Sequence, residues 1–169
     1  YDVFVPDLRG RGKSTPLISK DSLFGQEEAL REEYPAYIEQ VKALKGSSKM
    51  YMGAHSWGGV NLLSFMARPY SSVEVPAMVF FGSKRHISVR GIYYFVMIIL
   101  GWELLARRVI RRKGYLDAIN SKMGSDNISA RDWAETNAWV RAKNEWKNWH
   151  DGFDYRAALS KTTLPPVLY

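Results

Sequence analysis

The sequence predicts an α/β fold, with part of a parallel sheet flanked by helices and interrupted by an inserted helical cap. Three observations carry that reading. Short apolar runs alternate with segments of helical periodicity, the order of parallel strands joined by crossover helices. A long stretch in the second half then holds five of the six tryptophans, Trp102, Trp133, Trp139, Trp146 and Trp149, and reads as helical. An apolar run resumes after it, so the helical stretch reads as an insertion into a core. The expected organisation is a first core part over residues 1–82, a cap over 83–154 and a return to the core over 155–169.

Residues 1–6 carry Val3, Phe4 and Val5 and read as a short buried strand, followed by a loop with Gly10 and Gly12. Leu30, Tyr34, Ile38, Val41 and Leu44 recur at helical spacing. They predict an amphipathic helix that ends near Gly46, with Pro35 in its first turn or at a kink. Residues 49–54 read as a second strand, and 60–68 as a helix carrying Leu62, Leu63, Phe65 and Met66 and closed by Pro69. A third strand over 77–81 stops at Gly82. Residues 83–154 read as helical throughout, with a helix start at Ser129 whose spacing to Asp132 suits a capping box. A short helix over 155–160 follows, and Pro165 opens another strand.

The chain has 169 residues, 46% of them hydrophobic, enough to bury one sizeable core, and its length alone suggests one domain. Lys and Arg total 24 against 17 Asp and Glu, a formal net charge of +7. Such a balance permits contact with nucleic acid or an anionic membrane. The one dense basic cluster, Arg107, Arg108, Arg111, Arg112 and Lys113, has no recognisable reading module around it, and no nucleic-acid partner is expected. Cysteine is absent, which excludes disulfides and thiolate metal sites and fits a reducing compartment such as the cytoplasm. No histidine pair has ligand spacing, and neither a metal nor a cofactor is expected. Gly10 and Gly12 lack the third glycine of a dinucleotide fingerprint.

The chemistry concentrates between the second strand and the next helix, at Gly53, Ala54, His55, Ser56, Trp57, Gly58 and Gly59. A nucleophile on a sharp strand-to-helix turn needs small neighbours, because the backbone is strained and flanking chains come close. Ala54 and Gly58, two residues either side of Ser56, meet that need, although the usual Gly-x-Ser-x-Gly has glycine in the first place. The turn sets Ser56 at the positive end of the following helix and aims the Trp57 amide where an oxyanion would form. Ser56 is the expected catalytic nucleophile and Trp57 the backbone oxyanion donor.

Asp2, Val3, Phe4, Val5, Pro6, Asp7, Leu8, Arg9, Gly10, Arg11, Gly12, Lys13 and Ser14 resemble the strand and loop that precede the nucleophile in the α/β-hydrolase family. Their spacing to His55, Ser56, Trp57, Gly58 and Gly59 also fits. Asp154 to Leu159, followed by Leu164 to Tyr169, is similar to the family's return from cap to sheet. Lipase, esterase and aminopeptidase-like members with a helical cap look nearest. The resemblance implies a serine hydrolase acting on a small apolar ester through an acyl-enzyme at Ser56. The alternatives are an aminopeptidase or amidase of the same fold, or a non-catalytic binding protein that kept it. Haloalkane dehalogenases and most epoxide hydrolases, which place Asp where Ser56 stands, fit less well. The resemblance also implies that the acid and base follow Tyr169 and that a second oxyanion donor precedes Tyr1. The chain is then an internal fragment, and inactive by itself. Asp7 and Ser14 are expected to organise their loop rather than react.

None of the three histidines is expected to act as base. His55 adjoins Ser56 on a sharp turn that should point its ring away, His86 is expected on a solvated surface, and His150 near the end of the last cap helix. The run from Gly91 to Ala106 is apolar on nearly every face but shorter than the ~20 residues that span a bilayer. Burial between cap and core is the expected role. The other reading is an interfacial helix, its apolar face on lipid and its arginines on head groups, which would give the cap a peripheral membrane contact. The cap tryptophans are expected to favour an apolar substrate chamber.

Overall fold

The computed structural model describes residues 2–47, 49–69, 73–86, 91–142 and 144–169. In chain order the helices are α1 (Gln26–Glu28), α2 (Tyr34–Lys45), α3 (Trp57–Met66), α4 (Ile92–Tyr94), α5 (Ala106–Lys113), α6 (Ala130–Arg141) and α7 (Tyr155–Leu159). The strands are β1 (Met52–His55), β2 (Met78–Phe81), β3 (Tyr115–Leu116), β4 (Ile128–Ser129) and β5 (Val167–Leu168). Two π-helical stretches, Ala29–Glu33 and Phe95–Leu105, join α1 to α2 and α4 to α5.

The chain divides into two compact units: Tyr1–Pro6, Gln26–His86 and Ala138–Tyr169 form the first, and Asp7–Gly25 with Ile87–Asn137 the second. These cuts fall at other residues than the boundaries after 82 and 154 expected from sequence, and side-chain contacts explain the difference. Trp139, Trp146 and Tyr155 pack into the core of the first unit. Within the second, Arg11 pairs with Asp132 at 2.9 Å, the Gly12 amide donates to Asp126 at 3.1 Å, and the Ser129 hydroxyl donates to the Phe24 carbonyl.

In the first unit, β1, β2 and β5 form a three-stranded parallel sheet in that order. Met52 lies opposite Met78, His55 opposite Phe81, and Met78 opposite Val167. Residues 2–6 join no sheet among the described residues, and Val3 and Val5 are 83% and 85% exposed, which corrects the expected buried strand. An apolar run becomes a strand only where a neighbour accepts its ladder. Here Lys45 instead holds the segment, pairing with Asp2 and lying over the Phe4 ring. Tyr1 lies outside the described residues. The amphipathic helix is present and ends at Gly46, which takes φ 65° and donates to the Lys42 carbonyl at 2.7 Å. Pro35 stands in the first turn of α2 and has no N–H to offer Arg31, and the turn before it is the π-helical one, where the Tyr34 amide reaches the Ala29 carbonyl. Leu30, Ile38, Val60, Phe65, Met78 and Phe80 build the core from both helices and the sheet.

The second unit centres on Ala106, Leu116, Ala118 and Trp133, with the Trp102 ring 6.4 Å from that of Trp133. Its β3 and β4 pair antiparallel, so the stretch expected to be helical throughout is not; residues 142 and 144–154 carry no helix either, and 87–90 and 143 lie outside the described residues. Ser129 does start α6, accepting the Asp132 amide at 3.0 Å. In the same unit the Asp7 carboxylate accepts the Lys13 amide at 3.0 Å and its carbonyl accepts the Ser14 hydroxyl at 2.7 Å. Gly12, at φ 50°, has the Asp7 carboxylate where a Cβ would stand, so this turn closes only over glycine.

Most of the run from Ile92 to Leu105 is exposed, against the expectation that it is buried. Ile92, Tyr93, Phe95, Met97, Leu104 and Leu105 each show half or more of their surface. Among the described residues no helix is long and apolar enough to cross a membrane.

Candidate active site

Ser56 closes β1 and opens α3. Its amide donates to the Phe81 carbonyl at 2.9 Å, which carries the parallel ladder one residue past the His55–Phe81 pair. Its carbonyl then accepts the Gly59 amide at 3.1 Å and begins the helix. One residue therefore has to turn the chain from a strand into a helix. Ser56 does so at φ 52° and ψ −124°, a region that L side chains rarely adopt. Backbone held there costs about 1–3 kcal/mol and persists only where its surroundings impose it. The ladder bond on one side and the helix bond on the other impose it here.

A serine before a helix normally turns its hydroxyl to the free amides of the first turn. At Ser56 no such capping bond forms, and among the described residues no side chain hydrogen-bonds the hydroxyl. The residue is exposed at the C-terminal end of the parallel strands, where open α/β sheets place their ligands. Trp57 is the first residue of α3, and its amide has no acceptor among the described residues. The Trp57 indole is fixed separately: its N–H donates to Gln26, and its ring lies 6.4 Å from that of Trp139. The turn thus presents a free hydroxyl beside a free N–H.

Which small residues the turn needs differs from the sequence expectation. A Cβ on Gly58 would meet only the Ala54 Cβ, at 4.0 Å, an ordinary contact. A Cβ on Gly59 would stand 2.2 Å from the Ser83 Oγ, 2.6 Å from its Cβ and 3.1 Å from Phe80. Gly59 is what lets α3 lie against the end of β2. The glycine pair was visible in the sequence, but nothing there named Ser83 as its neighbour.

The histidines are dispersed. His55 lies exposed at the end of β1, and none of His55, His86 and His150 hydrogen-bonds Ser56. His86 is half-buried, with Nδ1 covered and unpaired, rather than on a solvated surface. His150 sits in a turn, its amide bonded to Asn148, and not on a helix. Next to His86, Arg85 donates to the carbonyls of Trp139 and Ala142 at the end of α6. Burial, with Arg156 nearby, pushes its guanidinium below the usual arginine range. Sequence reading assigned Arg85 no role, because its partners lie more than fifty residues away. Among the described residues no group of three or more His, Asp or Glu comes together as metal ligands would.

A family model described as the alpha/beta hydrolase fold matches residues 1–108, well over half of the chain. The chain belongs to the α/β-hydrolase family. The matched residues run from the first segment through β1, the Ser56 turn, α3 and β2 into the exposed helix, so this α/β-hydrolase carries its turn wholly inside the match. No curated protein and no solved structure matches the chain.

The expected substrate chamber of tryptophans takes another form in this α/β-hydrolase. Trp139 and Trp146 pack in the first unit with Tyr155, at ring distances of 5.2 to 6.0 Å, and Trp133 is 8% exposed in the second. Arg68 stacks 3.9 Å over Phe153 and grips Asp151 with two bonds of 2.7 and 2.9 Å. That grip holds the Asp151 carboxyl down at about 2. Trp139, Trp146 and Tyr155 share the core that α3 builds with Val60, Leu62 and Phe65. Trp149 stays outside, 56% exposed.

Proposed function

We propose that this α/β-hydrolase cleaves carboxylic esters through an acyl-enzyme at Ser56. The observation that carries the reading is the backbone of Ser56, held at φ 52° between a parallel strand and a helix while its hydroxyl caps nothing. A structural serine at a helix start would use its hydroxyl to stabilise the helix. Here the strain is kept and the hydroxyl is left over.

In the proposed reaction Ser56 Oγ attacks the ester carbonyl carbon, and its proton passes to a general base. The carbonyl oxygen becomes an oxyanion that accepts a hydrogen bond from the Trp57 amide, strengthened by the positive end of α3. Collapse of the tetrahedral intermediate breaks the bond to the alcohol, which leaves with the proton. Water then takes the acyl group by the same steps in reverse order. The partly covered Trp57 indole beside Ser56 favours a small apolar acyl group. Among the described residues no histidine hydrogen-bonds Ser56, so none of the three is assigned as the base.

The test is labelling by a fluorophosphonate probe together with hydrolysis of nitrophenyl esters. The 169-residue chain alone is expected to label weakly, because an unassisted serine hydroxyl is a poor nucleophile. Where a general base completes the site, labelling and turnover are expected to be strong, and Ser56→Ala to abolish both with little change in melting temperature. Full turnover by Ser56→Ala would refute the assignment.

A further inference from the structure

The longest helical run in the chain presents a face that changes character along its length. Ile92, Val96, Leu100, Leu104, Arg108 and Arg112 follow one another every four residues, and all six are exposed. The first four are apolar and the last two are cationic. The buried side of the same run carries Ala106 and Glu103, and Glu103 is the only acidic residue between 92 and 113. The exposed face therefore offers a continuous apolar strip that ends in positive charge, and the run itself places no carboxylate on that face.

We propose that this face docks on an anionic phospholipid surface, with the Ile92 end dipping among the acyl chains and Arg108 and Arg112 at the level of the phosphates. Each half of the face selects one layer of a bilayer: apolar side chains lower their free energy in the acyl region, and guanidinium groups bond phosphate in two-toothed fashion. The gradient along the axis sets an oblique seat rather than a flat one. Among the described residues no helix is long and apolar enough to cross the bilayer. A second copy of the chain answers the face poorly, because pairing two such strips leaves the arginines of each without an acidic partner. An anionic lipid surface supplies that partner and the apolar phase together. The inference does not depend on the hydrolase reading, since its test measures binding and not turnover.

The 169-residue chain is mixed with vesicles of phosphatidylcholine alone and of phosphatidylcholine with an equal share of phosphatidylglycerol, and the bound fraction is measured by flotation at low and high salt. Binding to the anionic vesicles alone, weakened by salt, is expected. Arg108→Gln with Arg112→Gln should weaken it about 25-fold, taking roughly fivefold for each arginine near the surface. Leu100→Glu with Leu104→Glu should abolish it while the far-ultraviolet circular dichroism stays that of the parent, both positions being exposed. Equal binding to the two vesicles, or full binding by either double variant, would overturn the proposal. A chain that ignores both vesicles and instead forms dimers that the leucine substitutions dissolve would overturn it too.

Discussion

Substituting the two adjacent glycines of α3 by alanine should have opposite effects, and the contrast tests how the Ser56 turn is held. Both glycines are helical, so both changes gain about 0.5–1 kcal/mol from the lower conformational entropy of the unfolded alanine chain. At Gly58 little opposes that gain, because the new Cβ meets only Ala54 at 4.0 Å. At Gly59 the new Cβ would stand 2.6 Å from the Ser83 Cβ, about 1 Å inside normal carbon contact. The Ser83 hydroxyl can rotate away, but its Cβ is fixed to the backbone. Overpacking of this kind costs about 1–3 kcal/mol, and more where backbone must move. Gly59→Ala should therefore lose about 1–2 kcal/mol net, and Gly58→Ala should gain about 0.5–1 kcal/mol, by urea unfolding followed by circular dichroism. Gly59→Ala combined with Ser83→Gly should recover most of the loss. If Gly59→Ala is as stable as the parent, or the double change recovers nothing, the close approach of α3 to β2 is not what holds the turn.

Other outcomes follow from packing and charge. Trp139→Ala removes a ring buried against Trp57, Trp146 and Tyr155, and should cost about 3–5 kcal/mol in unfolding free energy. A variant that folds like the parent and differs only in substrate preference would return Trp139 to the role of lining residue. The Asp151 carboxyl should titrate at about 2 by carbon NMR and return towards 3.8 in Arg68→Met, because its largest stabilisation is the bond from Arg68. Its folded value lies below its unfolded one, so the pair's contribution is complete above pH 4 and fades as pH falls towards 2. An ordinary Asp151 titration in the parent would show that the grip is not held in solution.

Much of the first unit was legible because its signals are local. The helical spacing from Leu30 to Leu44, the stop at Gly46 and the strand before Ser56 each depend on residues near one another in sequence. Ser129 likewise announced its helix, bonding an amide three residues on, while Asp154 caps α7 in the same way without having been read as a helix start. What the sequence hid is set by partners far along the chain. Residues 2–6 look like a strand, yet pairing depends on a neighbour that the run itself cannot specify. β3 and β4 are two residues each, too short for an alternation to show. Trp139 follows directly on a helix turn that belongs to the second unit, while its ring packs in the first. The apolar run at 92–105 carried no sign of which neighbour would cover it, and most of it proves uncovered.

Arg85 bears on how such a chain tolerates change. The chain leaves the first unit after His86 and is back in it from Ala138, and Arg85 binds the carbonyls of Trp139 and Ala142 just past that return. Departure and return are thus buttoned together within the first unit, whatever runs between them. Closing a flexible loop becomes harder only as the logarithm of its length, about 0.6 kcal/mol for each doubling. With the joint already fixed by one guanidinium, the intervening segment can lengthen, shorten or be exchanged for another at little expense to the sheet and the Ser56 turn. What any exchanged segment would still have to answer is residues 7–25, which bond Asp126, Ser129 and Asp132 within the second unit.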